Sequence, residues 1–213
     1  MKIVKPILGS LEDKIDLEEQ IQLAVNMEDS ISDISFLEVK QVVQVDLLDF
    51  EKCKFTSCIF KDSNFYKCSF TDIIFENCDF SNTDFSNSNL VRVEFINCKL
   101  VGCNFSSSFC YQVTLKDCNL KYINFSFARL KNIGFENNNM ESCVFNETNI
   151  SSILFQNCNL TLATFSKTPL AGIDFTTSQI EGLVVSPLEL KGCIVTSYQA
   201  ANLAKIFGLI IKD

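Results

Sequence analysis

An apolar residue recurs at every fifth position through most of this chain. From Val45 to Val195, each of the 31 positions reached by steps of five is Phe, Leu, Ile, Val, Met or Cys, with no insertion. Sixteen of the 20 Phe lie on this lattice, and only Phe36, Phe109, Phe127 and Phe207 fall off it. A helix repeats its apolar face every 3.6 residues and a half-buried strand every 2, so neither element alone builds a strict period of five. The period belongs to a larger repeating unit, which makes the chain a candidate solenoid.

A second lattice lies two residues before the first and begins Cys53, Cys58, Ser63, Cys68, Ile73, Cys78, Thr83, Ser88, Val93, Cys98, Cys103. Its members are mostly small or β-branched, as suits a side chain pointing inward beside a larger one. The other three positions of each five are mostly Asn, Ser, Thr, Lys, Asp or Glu. Each pentapeptide thus offers two side chains to a core and three to water.

Columns in the sequence show how many pentapeptides close a turn. Phe55, Phe75, Phe95, Phe135, Phe155 and Phe175 form one column broken only by Leu115, and Phe65, Phe85, Phe105, Phe125, Phe145 and Phe165 form another. Among the smaller residues, the column Ile73, Val93, Val113, Ile133, Ile153, Ile173 differs from its neighbour two pentapeptides on, Thr83, Cys103, Ile123, Cys143, Ala163. Equivalent environments therefore recur every four pentapeptides, which together make one coil. Strands stack ~4.8 Å apart, so the roughly 7.5 coils over residues 45–195 predict a four-sided rod on the order of 36 Å long. Such a rod needs caps where its last coils would expose core and unpaired backbone.

These residues carry a family resemblance. CDFSN, TDFSN, SNLVR, CNFSS, CNLKY and TNISS, as they stand here, resemble the pentapeptide-repeat pattern of a small residue, Asp or Asn, Leu or Phe, and two variable residues. The resemblance covers about 150 of the 213 residues and implies an all-β fold, a right-handed quadrilateral β-helix. The expected domains are 1–44, an N-terminal cap; 45–195, the β-helix; and 196–213, a C-terminal capping and dimerisation helix. Within 1–44, Asp16 suits an N-cap with Glu19 three residues on, and Leu17, Ile21 and Val25 share one face of a short helix.

The chemistry expected of the chain is mostly an absence. It holds no His, so the usual general base is missing, and its seven glycines form no phosphate-binding loop. No cofactor and no catalytic residues are expected. Of the 11 Cys, ten sit on the small lattice and Cys110 on the large one, with no CxxC pair. Reduced, inert thiols filling a tight core are the expectation; metal or disulfides are the alternatives. A net charge of -8 disfavours direct contact with nucleic acid or anionic membrane. With no signal-like N-terminus and no ~20-residue apolar span, a cytoplasmic protein is expected.

After Val195 the chain reads TSYQAANLAKIFGLIIKD, in which Leu203, Ile206, Phe207 and Ile210 recur at helical spacing and Gly208 offers a stop. Tyr198, Gln199, Ala200, Leu203 and Gly208 resemble the tail of the topoisomerase-directed Qnr and MfpA pentapeptide proteins. That resemblance implies a homodimer through Tyr198, Leu203, Ile206, Phe207 and Ile210, and a rod that imitates DNA to bind DNA gyrase or topoisomerase IV. It also raises quinolone resistance, although the loops that interrupt many Qnr rods are missing from this unbroken register. Folded at four pentapeptides per coil, the sequence gathers Glu76, Glu94, Asp117, Glu136 and Asp174 on one face with only Lys54 and Lys116. That is the expected topoisomerase-binding face; a scaffold for an unrelated partner is the rival reading.

Overall fold

In the computed structural model, which describes residues 2–210, the pentapeptides share one local geometry. The lattice residue points inward, and the residue two places later has a positive φ: 57° at Asn77, 61° at Asn82, 59° at Asn87, 53° at Arg92, 51° at Asn97. Each such residue turns the chain into the next side of the coil. Asn, Asp and Gly fill many of these corners because they enter the left-handed region at least cost. Tyr122, Phe127 and Leu162 hold φ near 60° as well, fixed by the coils above and below.

The four corners of a coil are not alike. Two close on themselves: Thr83 N–H donates to the Phe80 carbonyl at 2.9 Å and Ser88 N–H to that of Phe85 at 3.3 Å, with Asn82 and Asn87 at the third position of what the positive φ makes a type II turn. At a third corner strand pairing resumes directly on both sides of the bend at residues 72, 92, 112, 132 and 152, giving eight-residue strands. The β-branched column Ile73 to Ile173 starts just past this corner, where an extended backbone favours such side chains.

The fourth corner, at residues 77, 97, 117 and 137, does not bond to itself, and the next coil completes it. Cys98 Sγ accepts the Cys78 amide at 3.4 Å and donates to the Phe75 carbonyl at 3.4 Å. Cys118 repeats this on Cys98 and Phe95 at 3.3 and 3.5 Å. Asn138 does so on Cys118 and Leu115, both at 2.8 Å, and Ser178 on Cys158 and Phe155 at 3.1 and 3.3 Å. The cysteine row is thus a series of hydrogen-bonding bridges, which the expectation of an inert filler missed. Asn or Ser substitutes because each can donate and accept at once.

Strands of successive coils pair in parallel. The path β1 (Glu12–Lys14), β3 (Ile34–Leu37), β6 (Lys54–Thr56), β8 (Ser69–Glu76), β9 (Asn89–Ile96), β10 (Phe109–Lys116), β11 (Arg129–Glu136), β12 (Asn149–Gln156) runs along the sheet. Beside it, β2 (Ile31–Ser32) pairs with β5 (Asp49–Glu51), and β4 (Gln44–Asp46) with β7 (Asn64–Tyr66). The register steps from Asn89 to Phe109, Arg129 and Asn149, four pentapeptides each time, as the columns require. Inside, Phe65, Phe85, Phe105, Phe125, Phe145 and Phe165 stack with centroids 4.8–5.3 Å apart. The neighbouring Phe column meets it edge to face, as in Phe145 and Phe155 at 6.0 Å and 86°. Coil spacing and ring stacking share one repeat distance, so Phe fits this column without strain.

The rod begins earlier than residue 45. Ile31 pairs with Phe50, Phe36 with Phe55 and Lys40 with Ile59, each one position short of the full coil that separates Gln44 from its partner Asn64. The first coil lacks a single residue, so a search in steps of five stops at Val45 although the stacking continues to Ile31. Ahead of it, helix α1 (Leu17–Met27) covers the end of the core, with Asp16 accepting the Glu19 amide at 2.9 Å. Its buried residues are Leu17, Ile21 and Ala24; Val25, expected on that face, is exposed, because the buried arc passes one residue before it.

At the other end, helix α2 (Ser197–Leu203) carries a capping box between Thr196 and Gln199 and passes into a 3-10 turn, Ala204–Phe207, that ends at Gly208 with φ 73°. The buried Gln199 donates from Nε2 to the carbonyls of Phe175 and Ser178, both at 2.8 Å. Phe175 belongs to the carbonyl column that the bridging row serves, so Gln199 supplies the donor a further coil would have brought. The end of the 196–213 segment, from position 211 on, lies outside the described residues.

The bridges make a stability prediction. An unsatisfied buried polar group costs about 1–3 kcal/mol, so Cys98→Ala should lose about that much while Cys98→Ser stays close to the parent in urea unfolding. Equal losses in both variants would reduce the sulfur to a space-filler.

Candidate functional site

With two of every five side chains committed to the core, chemistry has to lie on the faces, the corners or the ends. The ten lattice thiols and Cys110 are free, and all but Cys193 are buried. Burial pushes Cys53, Cys68 and Cys158 up to about 11 and Cys110 up to about 12, with Cys103 and Cys143 raised further. Such thiols stay protonated and are poor nucleophiles. Among the described residues, no group of three or more His, Cys, Asp or Glu is placed to hold a metal ion. No helix among them is long and apolar enough to cross a membrane.

The five expected acids lie on strands and corners of the same side of the rod. Glu94 is in β9 and Glu136 closes β11, directly above Lys116 in the register. Glu76 closes β8, and its carboxylate meets Lys54 Nζ at 2.8 Å. Asp117 occupies a left-handed corner and accepts Asn137 Nδ2 at 2.9 Å. Asp174 is exposed and accepts both the Thr176 amide, at 2.8 Å, and the Thr176 hydroxyl, at 2.7 Å, which hold its carboxyl below the usual range. Glu94 lies 3.5 Å from Lys5, a residue of the N-terminal stretch, and its side chain is only 13% exposed. These acids share one side of the rod, where Glu76 and Glu94 are each paired with a lysine.

One ionic cluster went unnoticed in the sequence. Arg92 reaches down one coil to Asp72 with two bonds of 2.6 Å, and Ile7 N–H donates to the same carboxylate at 3.0 Å. Burial opposes the charge on Asp72, but the Arg92 and Ile7 hydrogen bonds, with the positive charges of Arg92 and Lys52, outweigh it and hold the carboxyl below its usual range. The spacing of Asp72 and Arg92, one full coil, is a signal visible in the sequence. The third partner, Ile7, comes from outside the repeat and leaves no such signal.

The five residues expected at a dimer interface divide. Tyr198, Phe207 and Ile210 are exposed at the tip of the rod, beside exposed Leu188 and Leu209. Leu203 is buried, and Ile206 packs partly against the core. Leu203 thus seals its own chain and is not free for a second one, because its side of the helix faces the last coil.

Two overlapping stretches, residues 48–125 and 88–165, match the family profile described as the pentapeptide repeat region and together take in more than half of the chain. The chain belongs to the pentapeptide repeat family. A search of curated proteins finds no significant match. Among solved structures, a trypsin-treated form of QnrB1, a plasmid-mediated fluoroquinolone resistance protein, is 22% identical over 98% of this chain and 99% of its own, with a TM-score of 0.48. Full-length QnrB1 is 22% identical, covering 85% and 91%, at a TM-score of 0.44. HetL, a pentapeptide repeat protein involved in heterocyst differentiation regulation from the cyanobacterium Nostoc, is 14% identical, covering 86% and 98%, at 0.40.

The thiol environment is directly testable. At pH 8 a disulfide reagent such as DTNB should titrate at most one fast thiol per native chain, Cys193, and all 11 after denaturation. Fast reaction of the Cys58–Cys118 row in the native protein would contradict the burial described above.

Proposed function

We propose that this pentapeptide repeat protein is a binding protein without catalytic activity, and that its partner is a type II topoisomerase, DNA gyrase before topoisomerase IV. The observation that carries this reading is the tip of the rod. Gln199 and Leu203 close the core while Tyr198, Phe207, Leu209 and Ile210 remain outside it, which leaves an apolar end able to meet its copy. Two rods joined at that tip would present a straight body about twice the length of one, with acids along one side. The tail resembling Qnr and MfpA points the same way, and the fluoroquinolone resistance of QnrB1 makes quinolone protection the natural second arm of any assay.

Charge density limits what imitation of DNA means here. A duplex carries one negative charge per ~1.7 Å of axis, so a stretch of ~36 Å carries roughly 20. Residues 45–195 carry 16 acids and 12 bases, a net of -4. The rod would therefore engage a basic saddle through a few placed carboxylates, and its binding would fall less steeply with salt than that of DNA. The pairing of Glu76 with Lys54 and of Glu94 with Lys5 favours the second reading, a scaffold whose partner is recognised by shape and apolar contact.

Two measurements separate these readings. In a gyrase supercoiling assay with and without a quinolone, the protein should inhibit or protect at micromolar concentration or below, and a variant with Glu76, Glu136 and Asp174 changed to Gln, Gln and Asn should lose the effect. No effect of the parent protein at any concentration would remove gyrase as the partner. Separately, Phe207→Asp with Ile210→Asp should convert dimers to monomers in sedimentation without lowering thermal stability; a parent that sediments as a monomer would refute the tip-to-tip assembly.

A further inference from the structure

Residues 3–9 run along the rod as an extended strap, at right angles to the strands they cross. Gly9 lies against Asp33, Ile7 bonds to Asp72, Lys5 pairs with Glu94, Val4 N–H donates to Gln112 Oε1 at 2.7 Å, and Ile3 reaches Gly134. From Ile7 to Val4 the strap advances three residues over the two coils between Asp72 and Gln112, about 10 Å by either count. A chain crossing strands cannot join their ladder, so its amides need side-chain acceptors. Asp72 and Gln112 supply them and become 5% and 7% exposed in doing so. Pro6 has no amide to satisfy and keeps Lys5 extended.

Gly134 is the independent sign of a built seat. The other glycines of the rod, Gly102, Gly172, Gly182 and Gly192, all hold positive φ at corners, whereas Gly134 lies in β11 without one. Glycine weakens a strand, and no backbone demand accounts for it here. A Cβ at this position would stand 2.8 Å from Ile3 Cδ1. Its neighbours in the column, Thr114 and Leu154, show that the strand itself accepts larger side chains.

We propose that the strap is an intramolecular ligand of the acidic face: Lys5 neutralises Glu94, and the strap must leave before a basic partner can read that face. This rests on the face being the binding surface, whichever basic protein uses it. Gly134→Val in the full chain, made together with Gln112→Gly to remove the acceptor of the Val4 amide, unseats Ile3 and Val4 and leaves the rod intact. The Val4 and Ile7 amides should exchange about tenfold more slowly than a random coil in the parent and at random-coil rates in the variant. Octalysine, used as a probe of the face, should bind about tenfold more tightly, the gain expected if the strap covers the face about 90% of the time. Adding Glu94→Gln should abolish that gain.

Exchange of both amides at random-coil rates in the parent, or octalysine affinity unchanged in the double variant despite their release, would overturn the mask. A gain that survives Glu94→Gln would also overturn it. DNA gyrase serves as the second probe. If gyrase binds neither form while octalysine responds as expected, the topoisomerase reading fails and the mask stands. If gyrase binds both forms equally, the mask fails and the partner stands.

Discussion

Everything in this rod follows from one requirement: each coil must lie congruent on the one beneath it, so that main-chain donors and acceptors meet at strand spacing. Congruence forces a corner every five residues, and from residue 47 to 172 each corner is met by a residue of positive φ. For an L-residue that conformation costs roughly 1–2 kcal/mol. A corner in isolation would open. Stacked, it is held by the amide it donates to the next coil, as Asn82 does to Val101 at 2.8 Å and Asn87 to Ser106 at 2.9 Å. Stability is therefore shared between neighbours, as expected of a quasi-one-dimensional protein, and the ends need special provision.

The same requirement accounts for the side chains that looked like filler. Where a corner bonds to itself, the small inward position tolerates Ala128 or Ile123. At the fourth corner, which the next coil completes, the position holds a group that both donates and accepts, and Cys, Asn and Ser share one row for that reason. Gln199 extends the principle beyond the repeat, since a helix residue supplies the donor that a missing coil cannot. A cysteine-rich composition here reflects hydrogen bonding in a confined interior.

Function on such a scaffold is confined to what the coils leave free: the three outward positions of each pentapeptide, the exposed tip and the N-terminal strap. Outward side chains repeat once per coil into straight columns, so charges interact along the axis, as Arg92 does with Asp72, Lys167 with Glu147 and Lys121 with Glu141. Exposed pairs such as Lys167 with Glu147 add little stability, but they set the pattern of charge a partner would meet. The rod is thus a ruler on which sign and spacing are adjusted one column at a time.

The sequence alone determined the period of five, the coil of four pentapeptides and the identity of the core, because each is a local rule repeated until its statistics are unmistakable. It also placed the N-cap at Asp16 and the helix after Val195, where capping residues and apolar spacing agree. Four matters were decided only by tertiary structure. The first coil, one residue short, begins at Ile31 because pairing tolerates a deletion that a strict lattice does not. The bridging role of the cysteines depends on which corner closes on itself, and that is set by the path of the whole coil. Leu203 faces inward because of where the last coil ends. Lys5 meets Glu94, and Ile3 meets Gly134, although several coils of sequence separate the members of each pair. Such contacts obey no period, so nothing repeated in the sequence could announce them.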